Sequence, residues 1–315
     1  MDNFFIHFVI CNITIGLFVL ILLCMKRIFK HCLTPRMQFN LWIPFTISLL
    51  APFLPVSFST LSTKMQDLFH PLAHFSHTVH TTNTSEYTSS STNQIYDYAI
   101  SMRTQFPVYI STIFCVIWGI GMFVMLFSFV RSLVLLHHMR RTANLMQDKR
   151  IHAIYMTCLS ELQLRKSIPL YSSSIIDTPV STGILRPAIF LPLHRISNFE
   201  EQEIRYILLH ELMHCYYKDA IFNYCMNIIR ILYWFHPLIW LITKEFYTER
   251  ELACDTSVLR LLGANEQISY GVTLLHFVDK QTNTPLSLLN NLSENAKQMK
   301  RRILNIKQHQ PLTIQ

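Results

Sequence analysis

Three long apolar runs constrain this chain more than any other feature of its sequence. Residues 4–25, 39–58 and 107–130 contain no Lys, Arg, Asp or Glu, and each run is long enough to cross a bilayer as a helix. Lys26 and Arg27 follow the first run, whereas a cleaved signal peptide carries its charges in front, so this run predicts a retained span. The chain is 50% hydrophobic and 15% charged, against about 25% charged in soluble domains. The sequence therefore predicts a mainly α membrane protein with three transmembrane helices.

The basic residues predict how these spans are oriented. One basic loop separates the first two runs and a basic collar follows the third, which places both on the cytoplasmic side. Residues 61–105 are rich in Ser, Thr, Asn and His and predict an external polar loop. Its regularly spaced histidines leave open a helical face that binds metal. The N-terminus is then outside, and everything after about residue 137 is cytoplasmic. The histidines are His70, His74, His77 and His80, and the basic clusters comprise Lys26, Arg27, Lys30 and Arg36, then Arg131, His137, His138, Arg140, Arg141, Lys149 and Arg150.

The composition also excludes some classes of function. A formal net charge of +8 is compatible with nucleic-acid binding, but the basic residues lie beside apolar runs, so we expect contact with membrane lipid and no direct binding of nucleic acid. Six glycines leave no room for a phosphate-binding loop or a dinucleotide fingerprint. The eight cysteines form no C-x-x-C pair, and we interpret all of them as free thiols.

The stretch from His210 to His214, with the sequence His-Glu-Leu-Met-His, predicts a catalytic metal site. Residues four apart share one helix face, so these two histidines can offer imidazole nitrogens to one metal ion. Glu211 lies between them, where its carboxylate can act as a general base on a water molecule. The alternative is a surface helix with two unrelated histidines.

A catalytic zinc site needs one more protein ligand, and Glu251 is our candidate. Asp255 shares a helix face with Glu251, and Asp219 follows the motif helix, so each can orient a ligand through a hydrogen bond. Cys254 is an alternative ligand, although a buried free thiol is the interpretation we favour. A solvated charged face at 249–255 and an unremarkable polar residue at 219 are the competing interpretations.

Residues 151–195 predict a small mixed α/β unit before the motif helix. The segment 151–164 is helix-like, whereas 168–174 and 178–193 are strand-like with a turn at 183–187. A substrate peptide can add as a further strand to an exposed edge, and a purely structural hairpin is equally open. The candidate edge comprises Pro179, Val180, Ser181, Thr182 and Gly183. The motif helix is predicted to begin near Ser197-Asn198, with a core-facing side formed by Ile204, Ile207, Leu208, Leu212 and Met213.

The apolar run at 220–243 is long enough to span a membrane, but a span would separate Glu251 from the two histidines. We therefore predict a re-entrant or interfacial helix pair that bends at Pro237 and returns. His236, in this bend, is a candidate for stabilising an oxyanion, with a hydrogen-bonded structural histidine as the alternative. The predicted organisation is a membrane region at 1–136, a cytoplasmic zinc metallopeptidase domain at 137–286 and a basic juxtamembrane tail at 287–315.

These stretches resemble the membrane-embedded zinc peptidases of the antirepressor family, the β-lactam sensor-transducers of Gram-positive bacteria (BlaR/MecR type). The resemblance implies a gluzincin-like α+β domain in the bacterial plasma membrane with one Zn²⁺ per chain, and it implies that His210, His214 and Glu251 are the ligands and Glu211 is the base. The family continues into an extracellular penicillin-binding domain, whereas this chain stops at Gln315 and contains neither S-x-x-K nor K-T-G. The stretches that carry the resemblance are Thr178-Pro179, Gly183, Pro187 to Pro192, His210 to His214 with Asp219, His236-Pro237-Leu238 and Glu251 to Asp255.

The resemblance predicts a zinc endopeptidase at the cytoplasmic membrane face that cleaves itself, a DNA-binding repressor, or both. The basic tail, including Arg301-Arg302, is the predicted region of self-cleavage, and assembly as a homodimer is left open. Two alternatives stay open: a zinc-binding signalling scaffold that cuts nothing, and a quality-control protease that cleaves unfolded membrane proteins broadly.

Overall fold

The computed structural model describes residues 2–29, 33–50, 108–164, 166–174, 176–279 and 289–308. The predicted polar loop with its histidines and the end of the predicted second span lie outside these residues. Backbone contacts divide the chain into two compact units, which are Met1–Phe18 with Ile47–Gly121 and Val19–Thr46 with Met122–Gln315. This division does not test where a membrane surface lies, so the boundaries predicted at residues 136 and 286 stay predictions.

The predicted spans fall on the helices α1 (Asp2–Phe29), α2 (Pro35–Asn40), α3 (Trp42–Leu50) and α4 (Val108–Thr142). The first span lies within α1. The second is interrupted at Leu41, between α2 and α3, and the third continues to the end of α4, so that Arg131, Arg140 and Arg141 of the basic collar belong to the same helix. Within the described ranges, the segment Thr112–Thr142 is long and apolar enough to cross a membrane. The count of three spans stays a prediction.

A mixed sheet with a neighbouring helix follows α4 and corresponds to the predicted α/β unit. Asp148 caps the helix α5 by accepting hydrogen bonds from the backbone N–H groups of Arg150 and Ile151. The strand order is β1-β2-β4-β3, in which β2 and β4 are parallel and both outer pairs are antiparallel. All of β4 is buried, and it pairs with β2 on one side and with β3 on the other. The bounds are β1 Asn144–Leu145, α5 Lys149–Glu161, β2 Leu170–Ser173, β3 Val180–Thr182 and β4 Ala188–Pro192.

The turn from the edge strand β3 into β4 requires a glycine. Gly183 has a φ of +104°, and a Cβ at this position would lie 2.4 Å from the carbonyl oxygen of Arg186. Arg140, near the end of α4, donates a hydrogen bond to the same oxygen at 2.5 Å. The candidate substrate edge is therefore an edge strand whose turn is attached to α4.

The motif helix α7 (Glu201–Tyr216) begins later than predicted, because its cap differs. Residues 197–198 follow the short helix α6 (Leu193–Ile196), and Glu200 and Glu203 form a capping box in which each side chain accepts the other's backbone N–H. The core-facing side is as predicted: Ile204, Ile207, Leu208, Leu212 and Met213 are all buried.

The segment at 220–243 turns back instead of continuing in one direction. Lys218, with a φ of +55°, makes the left-handed turn between α7 and α8 (Asp219–Leu232). The chain then reverses at 233–236, and Pro237 opens the long helix α9 (Pro237–Leu262), which packs against α7 and α8. This return brings Glu251 beside the motif helix, as the predicted site required.

Helices at both ends of the described chain complete the surroundings of α9. The helices α10 (Gln267–Asp279) and α11 (Leu289–Gln308) pack on each other, and α11 packs on α9. Gln267 donates a hydrogen bond to the carbonyl oxygen of the buried Ile306. On another side, α2 packs against α9, where Phe39 and Phe246 have ring centroids 5.4 Å apart. The described part of the predicted basic tail, residues 289–308, is thus a helix of the same compact unit.

Candidate metal centre and active site

Two buried imidazoles form the centre of the site. His210 and His214 lie one turn apart on α7, their rings are nearly perpendicular at 89°, and their Nε2 atoms are 3.2 Å apart. The Nε2 atoms therefore converge on one point, as the four-residue spacing predicts.

Glu251 from α9 adds an oxygen to this point. Its Oε2 lies 3.4 Å from Nε2 of His210, and its Oε1 lies 3.8 Å from Nε2 of His214. Ligands bound tetrahedrally to zinc at 2.0–2.2 Å lie roughly 3.3 Å from one another. The two nitrogens and the carboxylate are therefore spaced like three ligands of one zinc ion.

Hydrogen bonds to the other ring nitrogens leave both Nε2 atoms available. His214 Nδ1 lies 2.7 Å from Oδ2 of Asp219, and His210 Nδ1 lies 3.0 Å from the hydroxyl of Tyr270. That hydroxyl donates to Oδ1 of Asp255 at 2.7 Å and so accepts from His210. When the rings are neutral, each therefore carries its proton on Nδ1, which is the tautomer that a metal ligand needs.

Cys254 gives a second set of potential ligands with the two histidines. One nitrogen of each ring and the Sγ of Cys254 lie within 4.8 Å of one another. The thiol, however, donates to the backbone carbonyl of His210 at 3.4 Å and lies 3.5 Å from its Nδ1, on the side of the ring that also faces Tyr270. Glu251 lies on the Nε2 side, with one carboxylate oxygen nearest to each of the two converging nitrogens.

The charges around the site favour a divalent cation. Four buried carboxylates face two guanidinium groups, which leaves two negative charges when both imidazoles are neutral. The Coulombic cost of those charges in a buried site falls when a divalent cation binds. The carboxylates belong to Glu211, Asp219, Glu251 and Asp255, and the guanidinium groups to Arg250 and Arg302.

The imidazole pKa values respond to the same charges. Burial lowers the pKa of His214, but the negative groups of Cys254 and Glu251 and the hydrogen bond to Asp219 outweigh burial and raise it to about 10. Burial opposes a similar rise at His210, whose pKa lies well above its ordinary value because of Cys254, Tyr270 and Asp255. In the metal-free protein, protons therefore take the place of a cation.

Glu211 and the edge strand face one cavity with the potential ligands. The cavity has a volume of about 850 Å³, and its lining includes His210, Glu211, His214 and Glu251. The predicted edge residues Pro179, Val180, Ser181, Thr182 and Gly183 form another part of the lining. The general-base candidate and the substrate-edge candidate thus lie in the same pocket as the potential metal ligands.

Two predicted features are not brought to the site. His236 precedes α9, and fifteen residues of helix place it roughly 22 Å from Glu251, so it cannot stabilise an oxyanion at this centre. Arg301 and Arg302 are helical, and Arg302 is buried in an ion pair with Asp255, so neither is presented as an extended segment for cleavage. The six cysteines whose side chains the structure describes are free, as predicted.

Three residues that the sequence did not assign to the metal centre belong to it. Arg250 pairs with Oε1 of Glu251 at 2.7 Å and also donates to Asn223. Tyr270 and Arg302 reach Asp255 from other helices, 15 and 47 residues further along the chain. Arg250 was detectable as the neighbour of Glu251, whereas no local pattern connects the other two to the motif.

Comparison with known proteins shows the family of this chain. Residues 6–306 match the model of a family described as BlaR1 peptidase M56. The chain is 30% identical to the Regulatory protein BlaR1 of Bacillus licheniformis over 97% of its own length and 51% of the relative's. It is 26% identical to the Methicillin resistance mecR1 protein of Staphylococcus aureus, over 76% of its length and 40% of the relative's.

A further BlaR1, from Staphylococcus aureus, is 24% identical over 92% of this chain and 48% of the relative. The chain thus spans about half the length of the curated relatives that it matches. Because the family match extends over nearly the whole sequence, this chain belongs to the BlaR1 peptidase M56 family.

Proposed function

We propose that this chain is a membrane-bound zinc endopeptidase that cleaves protein at the cytoplasmic face of the plasma membrane. One observation carries the proposal: the Nε2 atoms of His210 and His214 converge with the Glu251 carboxylate at distances of 3.2–3.8 Å, in a cavity that Glu211 also lines. Two imidazoles, one carboxylate and a neighbouring glutamate are the residue types that zinc peptidases use.

In this proposal each residue has a separate task. His210, His214 and Glu251 hold the zinc ion, which supplies Lewis-acid activation of water and of the peptide carbonyl. Glu211 accepts a proton from the attacking water and returns it to the leaving amine. Asp219 fixes the ring of His214, and Asp255 fixes that of His210 through Tyr270.

The edge strand β3 is the proposed docking site for the substrate. It is the last strand in the sheet order, and its residues 180–182 line the cavity beside the potential ligands. A peptide that pairs with this edge lies extended across the pocket and is bound by main-chain hydrogen bonds, which tolerate many sequences. Substitution of Ser181 by proline removes one backbone donor and is expected to raise KM more than it lowers kcat.

The proposed role is regulated proteolysis of the chain itself, of a transcriptional repressor, or of both. The names of its relatives, a regulatory protein and a methicillin-resistance protein, favour signalling in antibiotic resistance over general protein turnover. The basic residues Arg140 and Arg141 at the end of α4 support a cytoplasmic position for the domain that follows.

A single substitution tests the catalytic assignment. Glu211→Gln in the purified full chain should retain zinc, measured by elemental analysis. Its rate of cleaving itself and candidate repressors should fall by a factor of at least about 100. Glu201→Gln, on the exposed first turn of the same helix, is the matched control and should cleave normally. A wild-type chain that binds zinc but shows no Glu211-dependent hydrolysis would favour a zinc-binding scaffold instead.

A further inference from the structure

The C-terminal helix α11 contributes a buried side chain beside the metal centre. Arg302 donates from Nε to Oδ2 and from Nη2 to Oδ1 of Asp255, both at 2.8 Å. Asp255 is 0% exposed and Arg302 is 9% exposed. This is the two-pronged guanidinium–carboxylate geometry, which fixes orientation as well as charge.

Arg302 is connected to one potential ligand through a relay. Asp255 accepts the hydrogen bond of the Tyr270 hydroxyl at 2.7 Å, and that hydroxyl lies 3.0 Å from Nδ1 of His210. Each member of this relay is buried, so no water competes for its hydrogen bonds. The position of Asp255, which Arg302 fixes, therefore fixes the ring of His210.

The same guanidinium reaches a second potential ligand directly. Nη1 of Arg302 lies 3.5 Å from Oε2 of Glu251, the oxygen that is 3.4 Å from Nε2 of His210. Arg250 holds the other oxygen of Glu251. Two arginines thus fix the rotation of the Glu251 carboxylate, and one of them comes from α11.

We propose that Arg302 is a positioning residue for two metal ligands at once, so that the metal centre is complete only while α11 is docked on α9. This inference rests on the assignment of His210 and Glu251 as ligands in the proposed function. It makes the C-terminal helix part of the site, so a change that lifts α11 away weakens metal binding.

The packing of α11 separates this role from simple docking of the helix. Ile306 is buried, and its carbonyl oxygen accepts a hydrogen bond from Gln267, so contacts other than those of Arg302 hold the helix. The neighbouring Arg301 pairs with Glu245 at 2.9 Å in an ion pair that is more than one-third exposed on both sides. Arg301 is therefore a control with the same chemistry on the same helix, outside the site.

The test measures metal binding in the full chain in detergent micelles. The zinc dissociation constant, obtained by competition with a chromophoric chelator, should rise about 10–100-fold in Arg302→Met and stay within about twofold in Arg301→Met. Arg302→Lys restores the charge without the fork and should recover only part of the affinity. The visible absorption of the Co²⁺-substituted protein should change in Arg302→Met, because the two metal ligands His210 and Glu251 are then no longer fixed in position.

Wild-type affinity and an unchanged Co²⁺ spectrum in a folded Arg302→Met protein would overturn the inference. If that variant does not fold, Tyr270→Phe decides, since it removes only the hydroxyl that connects Asp255 to His210. Unchanged zinc affinity in Tyr270→Phe would then overturn the relay. A wild-type chain that binds no zinc overturns both proposals, whereas equal cleavage by Glu211→Gln overturns the peptidase and leaves the Arg302 effect standing.

Discussion

Zinc uptake by this site is expected to release a proton from the histidine pair well above neutral pH, because the Nε2 atoms of His210 and His214, 3.2 Å apart, can hold one proton between them. The negative groups around His210 and His214 outweigh their burial and raise both pKa values, that of His214 to about 10. A metal ion binds only the neutral imidazole, so the proton that lies between the two Nε2 atoms must leave first. The apparent zinc affinity should therefore increase with pH across a range where ordinary histidines are already neutral.

The magnitude follows from the distance between the pKa and the working pH. Removing the proton of His214 at pH 7 costs about 4 kcal/mol, since each pKa unit corresponds to about 1.36 kcal/mol. With one such proton to release, the logarithm of the zinc affinity should rise by up to about one unit per pH unit. Imidazoles with the ordinary pKa of about 6.5 would give almost no dependence above about pH 7.5.

Zinc titrations in chelator-buffered solutions between about pH 7.5 and about pH 9 separate these two cases. Calorimetry in two buffers of different ionisation enthalpy counts the released protons independently. A constant affinity across this range, or fewer than about one proton released, would refute the reasoning from the charges of the site. The raised pKa of His214 also makes the stability of the metal-free protein depend on pH. Its free energy of unfolding should fall as the pH rises from about 6.5, the ordinary pKa of histidine, towards the raised pKa of His214.

Three further outcomes are expected from individual residues. Asp219→Ala removes the hydrogen bond to His214 and should weaken zinc binding about 10–100-fold; an affinity within twofold of wild type would contradict this. Burial, and then the charge of Glu161, raises the pKa of Cys158 to about 12, so iodoacetamide should modify this thiol only after denaturation, as read by mass spectrometry. Lys26→Met leaves the buried Glu249 without its cation and should cost about 3–5 kcal/mol. Lys26→Met/Glu249→Gln should recover most of the melting temperature, and equal melting of the single and double variants would contradict the pairing.

The local part of the site was predictable because helix geometry alone determines it. Four-residue spacing places His210 and His214 on one face of a helix, and the need for a third ligand required Glu251 to reach them. That requirement also predicted the reversal at Pro237, which hydropathy by itself does not indicate. Asp219, the partner of His214, was predictable because it follows His214 by five residues, just after the motif helix ends.

The parts that were missed depend on contacts between distant segments. Tyr270 lies on α10 and Arg302 on α11, and no spacing in the sequence connects either residue to His210. An arginine in a basic tail is ordinarily solvated, and the predicted cleavage region at Arg301-Arg302 rests on basicity and on the family resemblance alone. Its burial against Asp255 depends on how α11 docks, and that is a property of the packed helices.

Hydropathy also could not identify what covers an apolar run. The run that begins at Phe39 has the composition of a span, yet Phe39 and Trp42 are 1% and 0% exposed and contact Phe246 of α9. Aromatic side chains that pack on a helix and those that face lipid have the same hydrophobicity. Only the three-dimensional neighbours distinguish the two environments.

The contacts at this packed surface connect the N-terminal helices to the metal centre through α9. Glu249 accepts a hydrogen bond from Trp42 at 2.6 Å and pairs with Lys26, whose ammonium group also lies 3.8 Å from the Trp42 ring. Glu251 follows two residues later, about 200° around the helix, and faces the histidines. Since a helix rotates as a unit, any rotation of α9 that breaks the contacts of Glu249 also moves the Glu251 carboxylate. The residues that anchor the first helices and the residue that completes the metal site are thus held by the same two turns of α9.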